Sequence, residues 1–227
     1  MKKVVVFGGG TGLSCLLSGL KLFPVDVTTV ITVSDNGSST GVLKKELDIP
    51  AVGDVGKVLI SMANVDEDFT RLLRYRFSKD GSLHNHPVRN VMLAALIDLK
   101  GNLTEATRYM CRLLNVKGTV LPLTEERVEL VGETDDYKVS DHLRVINDYL
   151  RDRRVDVVLV NNGPLPADVL DVYHSTEDKS AVTLDREAVE ALGASIIEDA
   201  VAVTEEGQLR HDALRTAFLI FSYLMRT

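Results

Sequence analysis

The start of the chain constrains the fold more than any other stretch. Val4-Val5-Val6-Phe7 is an unbroken strand-forming run that ends on Gly8-Gly9-Gly10-Thr11-Gly12. Leucines then recur at Leu13, Leu16, Leu17 and Leu20, the i, i+3, i+4, i+7 spacing of a helix with one apolar face. A second apolar run covers Asp26 to Val33. Strand, glycine turn, helix and strand in that order make a βαβ unit with a right-handed crossover. The apolar run from Lys3 to Phe7 lacks polar alternation, which predicts a strand covered on both faces of a parallel sheet. The fold class expected is therefore α/β, a mostly parallel sheet with helices on both faces.

The glycine turn is the first candidate site. Glycines let the backbone approach an anion, and the helix that follows supplies free N–H groups and a positive dipole end. Gly8, Gly9, Gly10 and Gly12 would form the cradle, with Thr11 and Ser14 adding hydroxyl donors. No Gly-Lys-Ser/Thr follows, so this is not a P-loop, and the spacing is not a strict GxGxxG. Three glycines in a row are more than a tight strand-to-helix turn needs.

The second candidate is the polar stretch from Ser34 to Gly41, which follows the second strand directly. Ligands of open α/β sheets gather at the carboxyl ends of strands, so this loop and the glycine turn are expected to face one crevice. Asp35, with Asn36, Ser38, Ser39 and Thr40, could hold a ribose hydroxyl or a Mg²⁺ ion, or could equally form an Asx-turn before a helix. Gly53-Asp54 reads as an ordinary helix entry. His84, His86 and Asn90 surround Pro87, and two histidines without a nearby acid make a poor metal site. Arg71, Arg74 and Arg76 read as a solvated helix face.

Further along, helices are expected at Val55–Asn64, Phe69–Phe77, Asn90–Leu99, Leu103–Leu114, Asp141–Arg151, from Pro166 to Tyr173, and at Asp212–Met225. Short strands are expected at Thr119–Leu123, Val155–Val160, Ala181–Leu184 and Ala200–Val203. With 227 residues and a net charge of −7, the chain is long enough for a core and too acidic for general nucleic-acid binding. Cys15 and Cys111 have no CxxC spacing, which points away from a disulfide framework and towards a reducing cytoplasm. No stretch reaches the length of a membrane span.

Taken in order along the chain, these residues resemble the CofD-like superfamily, and within it the YvcK-type gluconeogenesis factors. The resemblance is carried by Gly8-Gly9-Gly10-Thr11-Gly12-Leu13-Ser14, Thr32-Val33-Ser34-Asp35-Asn36-Gly37-Ser38-Ser39, Gly53-Asp54, Tyr75-Arg76-Phe77, His86 with Asn90, Gly132-Glu133-Thr134-Asp135, Ser140-Asp141-His142 and Leu209-Arg210-His211. It implies one Rossmann-like domain over 1–227 that binds a nucleotide or nucleotide-sugar. The YvcK-type branch is similar to UDP-sugar-binding regulators that link carbon metabolism to cell-wall synthesis and cell shape. The CofD branch consists of Mg²⁺-dependent transferases of a nucleotide-activated phospholactyl group. On this resemblance the ligand residues expected are the glycine turn with Ser14, Asp35, Asn36, Ser38, Ser39, Gly53, Asp54, His86 and Asn90. Tyr173 is added as a stacking face and Arg210 as a phosphate partner. A nucleotide-sugar, cell-wall regulatory proteins and a second copy of the chain are the partners implied. A nicotinamide dinucleotide is the weaker fit, since Asp35 alone could read its ribose.

The chain departs from the family pattern in four places. Asn36 stands where the family loop has a second acid. Gly56-Lys57 replaces Arg-Asn after Gly53-Asp54, and Asn85-His86-Pro87-Val88-Arg89-Asn90 replaces Gly-His-Ser-Leu-Gly-Asn. Near residues 130–132, Leu130-Val131-Gly132 joins directly what the family separates by several tens of residues, including a Gly-Pro-Gly-Ser-type loop. A family segment is therefore expected to be missing there.

Overall fold

A computed structural model describes residues 1–128, 136–177, 180–205 and 207–226. The Gly132–Asp135 block and the junction at 130–132 lie outside the described residues. The chain resolves into two compact units, residues 1–131 with 213–227 and residues 132–212.

The first unit opens with the expected βαβ unit: β1 (Lys2–Gly8), α1 (Gly10–Leu20) and β2 (Val25–Ile31). β1 and β2 are parallel, in register from Lys2 opposite Val25 to Gly8 opposite Ile31. The helices α2 (Ser38–Glu46), α3 (Gly53–Met62), α4 (Glu67–Arg74), α5 (Val88–Lys100) and α6 (Leu103–Leu113) follow, and β3 (Thr119–Pro122) then pairs parallel to β2. The sheet order is β1-β2-β3, so β2 is central. Its alternate residues Val25, Val27, Thr29 and Ile31 are buried. The final helix, α10 (Ala213–Arg226), packs on α1. That contact is close enough that a Cβ on Gly19 would meet the Ala213 carbonyl.

Leucines of α1 and α3 (Leu17, Leu20, Leu59) form the core of this unit with Ile31, Met62, Leu73, Leu93, Leu103, Met110 and Leu114. Each is removed almost completely from water, and side chains of this kind stabilise a fold by about 1.5–3 kcal/mol apiece relative to exposure. A polar contact also lies inside: the buried Thr29 hydroxyl donates to the Met62 sulfur at 3.3 Å.

The second unit holds α7 (Val139–Leu150), β4 (Val157–Asn161), α8 (Ala167–Glu177), α9 (Arg186–Ala191), β5 (Ser195–Asp199), β6 (Ala202–Glu205) and β7 (Gln208–His211). β4 and β5 are parallel, and β6 and β7 form an antiparallel hairpin. Its core is small: Leu143, Val189 and Ala194 are buried, flanked by Val139, Val155, Val158, Leu184, Leu192 and Ile196. Polar bonds supplement it, as where Ser140 donates its N–H and hydroxyl to the two oxygens of Asp185 at 3.0 and 2.6 Å.

The α/β class with a parallel sheet is as expected. β1 is not covered on both faces, however: Val5 is 58% and Phe7 70% exposed. The reason is its place in the sheet. Among the described residues it pairs with β2 alone, and only Val4 and Val6 pack on the core. No strand forms at Ala181–Leu184, where the Thr183 carbonyl accepts a single bond from Val139 N–H. The polar run expected to be a loop up to Gly41 turns helical at Ser38, and Arg76 lies beyond the end of α4 rather than on it. Among the described residues no helix is long and apolar enough to cross a membrane.

Candidate functional site

The first turn of α3 brings the separate sequence signals of the first unit together. Three of its positions face three other segments, and two of those positions are glycines. Gly53 faces the loop after β2, where a Cβ would lie 2.2 Å from Thr40 Oγ1 and 2.5 Å from Asp35 Oδ2. Gly56 faces the start of α5, where a Cβ would lie 3.1 Å from Arg89 Cδ and 3.3 Å from Asn90 Oδ1. Asp54, between them, faces the glycine turn: a Cβ on Gly9 would lie 2.7 Å from Asp54 Oδ2 and 2.1 Å from Thr32 Oγ1. Side chains at 53 or 56 would therefore wedge these segments apart.

The glycine turn is built as a helix entry. Gly8 ends β1, Gly9 is the extended residue preceding α1, and Gly10 has φ +72°, a left-handed value that favours glycine. Gly10, Thr11 and Gly12 form the first turn of α1, and no side chain caps it. Its first N–H groups thus lack the usual side-chain acceptor, which is the arrangement that receives anions. The Ser14 hydroxyl, one turn further on, donates to the Gly10 carbonyl at 2.9 Å.

In the loop after β2, Asp35 Oδ1 accepts from Gly37 N–H at 2.7 Å and Oδ2 from the Thr40 hydroxyl at 3.2 Å. This is the Asx-turn reading, and it leads into α2. Asn36 Oδ1 accepts from Lys44 Nζ at 2.9 Å, and the same ammonium donates to the Val128 carbonyl at 2.7 Å. Ser38 opens α2. Ser39 is buried, its hydroxyl 2.9 Å from His86 Nδ1 and accepting from Asn90 Nδ2 at 3.2 Å. Ser39, His86 and Asn90 thus form one buried polar chain joining α2 to the start of α5.

Asp54 is paired with Lys57 at 2.8 Å on the same face of α3. The donors suit Mg²⁺ poorly, since that ion is usually held by one or two carboxylates with open lone pairs. Asp54 Oδ1 is paired with Lys57, both Asp35 oxygens accept internal bonds, and position 36 carries an amide already engaged by Lys44. Among the described residues no group of three His, Cys, Asp or Glu side chains is arranged to hold a metal.

Arg89 is the residue that motif reading passed over. It lies in the first turn of α5, 8% exposed, and its Nε has no hydrogen-bond partner among the described residues. Burial, with Arg76 and Arg74 adding like charge, pulls its pKa down to about 10. Asn90, 2% exposed, has an unpartnered Oδ1 beside it. The signal in the sequence was the paired departure at Gly56 and Arg89.

Tyr173 and Arg210 belong to the second unit, on α8 and β7. The Arg210 guanidinium donates to the Leu209 carbonyl at 3.1 Å and to Gln208 Oε1.

The family model described as 2-phospho-L-lactate transferase CofD matches residues 4–131 and 130–202. The chain belongs to the CofD family. Among relatives, the gluconeogenesis factor of Halalkalibacterium halodurans is 29% identical over an alignment of 315 positions that covers 100% of this chain and 98% of the relative. The gluconeogenesis factor of Bacillus subtilis is 27% identical over 311 positions, covering 98% of each chain. An X-ray structure of a Bacillus halodurans protein superposes with a TM-score of 0.88 at 28% identity, over 97% of this chain and 100% of that one. The two family matches meet at residues 130–131, where the sequence departs from the family pattern.

Proposed function

We propose that this CofD-family protein is a regulator of the gluconeogenesis-factor type that binds a nucleotide-sugar, of the UDP-N-acetylglucosamine class, without turning it over. The observation that carries this reading is the similarity, across the whole chain, to two proteins named gluconeogenesis factors. The geometry supports a phosphorylated ligand, because an uncapped helix entry and the first turn of α3 adjoin the Asp35 loop and the buried Ser39–His86–Asn90 chain. Phosphates lie on the Gly8–Gly12 turn in this reading, and Asp35 and Asn36 bear on the sugar or ribose. Binding needs no metal, since the carboxylates that would hold Mg²⁺ are engaged within the protein. The role that follows is cytoplasmic, linking carbon metabolism to cell-wall synthesis and cell shape through cell-wall regulatory proteins.

Calorimetry with UDP-N-acetylglucosamine and with GDP, each with and without Mg²⁺, tests this reading. Metal-independent binding of the UDP-sugar, with the sugar recovered unchanged, is the expected result. Mg²⁺-dependent binding of GDP would instead assign the chain to the phospholactyl-transferase branch.

A further inference from the structure

Gly56 and Arg89 belong to different helices, and each explains the other. The Arg89 stem passes so close to Gly56 that a Cβ there would lie 3.1 Å from Cδ and 3.3 Å from Cγ. Only a residue without a side chain leaves that space open. Position 56 on α3 thus carries no side chain where the stem of Arg89 on α5 crosses it.

A buried guanidinium is costly unless it is paired. Among the described residues no carboxylate pairs with Arg89 and its Nε lacks an acceptor. Its charged neighbours are of the same sign. Arg76 is held next to the start of α5 by its bridge to Pro87 and by Nη1 donating to the Asn85 carbonyl at 2.7 Å, and Arg74 ends α4. The N-terminal turn of α5, which no side chain caps, adds a positive dipole end. Among the described residues no acidic side chain forms an ion pair with Arg89 in this positive region. Guanidinium forks match phosphate oxygens in geometry and in charge.

We propose that Arg89, seated in the space that Gly56 leaves, is an anion-binding residue that receives a phosphate group at the start of α5. Under the nucleotide-sugar reading, on which this assignment of the ligand rests, that group is the end of the ligand's diphosphate that extends beyond the Gly8–Gly12 turn. Free phosphate or pyrophosphate offers the same chemistry.

The test uses the full chain and three probes, pyrophosphate, UDP-N-acetylglucosamine and uridine, titrated calorimetrically into wild type, Arg89→Gln, and the exchange variant Gly56→Arg/Arg89→Gly. The expected result is at least a tenfold loss of pyrophosphate affinity in Arg89→Gln, with recovery in the exchange variant. Should Arg89→Gln fail to fold, Gly56→Ala crowds the stem while keeping the charge, and a several-fold loss is expected. Pyrophosphate affinity that is unchanged in Arg89→Gln, or absent in wild type, would overturn the proposal. Arg89-dependent pyrophosphate binding without UDP-sugar binding would refute the nucleotide-sugar reading alone. UDP-sugar binding indifferent to Arg89 would refute this proposal alone.

Discussion

Replacing Gly9 by alanine isolates the contact that holds the glycine turn against α3. Gly9 is extended, with φ −160° and ψ −179°, so an alanine backbone is unstrained there. The obstacle is lateral: the new methyl would lie 2.1 Å from Thr32 Oγ1 and 2.7 Å from Asp54 Oδ2. Thr32 has to leave its rotamer or β2 has to shift, and overpacking of this kind costs about 1–3 kcal/mol. The lower entropy of an unfolded alanine chain returns about 0.4–1 kcal/mol. A net loss of about 1–2 kcal/mol follows, a fall in melting midpoint of about 2–4 °C per kcal/mol for a chain of this size. Thr32→Ala removes the nearest obstacle, leaving Thr32 Cβ at an ordinary 3.5 Å. In that background the Asp54 carboxylate, 2.7 Å from the new methyl, still has to move, so Gly9→Ala is expected to keep part of its cost, with a coupling of at least ~0.5 kcal/mol between neighbours. Gly10→Ala is the control. At φ +72° its penalty is backbone strain of about 1–2 kcal/mol, which Thr32→Ala does not relieve. Urea titrations of the single and double variants, followed by circular dichroism, measure all of these. An equal loss from Gly9→Ala with and without Thr32 would refute the steric argument.

Lys44, 4% exposed, spans Asn36 and Val128, so Lys44→Met strands two acceptors; a loss of about 1–3 kcal/mol is expected by urea titration, with faster amide exchange in the Asn36 loop. In the second unit, the Ser140 hydroxyl chiefly holds the Asp185 carboxyl below its ordinary value of 3.8. The unfolded chain therefore binds the proton more readily, and this contribution is present above pH ~3.8 and lost as pH falls through the lower folded value. Ser140→Ala should raise the Asp185 pKa in a carboxyl-detected NMR titration and flatten the acid limb of the stability curve. Burial pushes the Cys111 thiol above its ordinary 9.0, so iodoacetamide at pH 8 should label it slowly in the folded protein and quickly in urea.

Amphipathic spacing was enough to locate α1, α3, α5, α6 and α10, because each lays leucine, methionine or alanine on a core. It failed where tertiary bonds overrule local preference. Ser38-Ser39-Thr40-Gly41 is a poor helix former, yet α2 begins there, steadied by Gly41 N–H on the Gly37 carbonyl at 2.7 Å and by Lys44. Ala181–Leu184 is strand-like in composition but finds no strand to pair with among the described residues, and β7, polar apart from Leu209, is held by its hairpin partner. The motif residues of the first unit could be picked out individually. Their meeting point on α3 could not, since it depends on glycines whose neighbours are distant in sequence. Gly56 is one of these, since the Arg89 stem that lies across it comes from another helix.

The bare edge of β1 bears on how this protein behaves in a test tube. A strand that among the described residues pairs on one side only, and that shows Val5 and Phe7 to water, is a template for strand addition. Lys2 and Lys3, at its entry, place like charges where two copies would first meet. Ionic strength should therefore govern solubility: salt screens the lysines while leaving the apolar pair untouched, so turbidity on storage rises with added salt. Val5→Lys would carry the charge further along the strand and keep the solution clear.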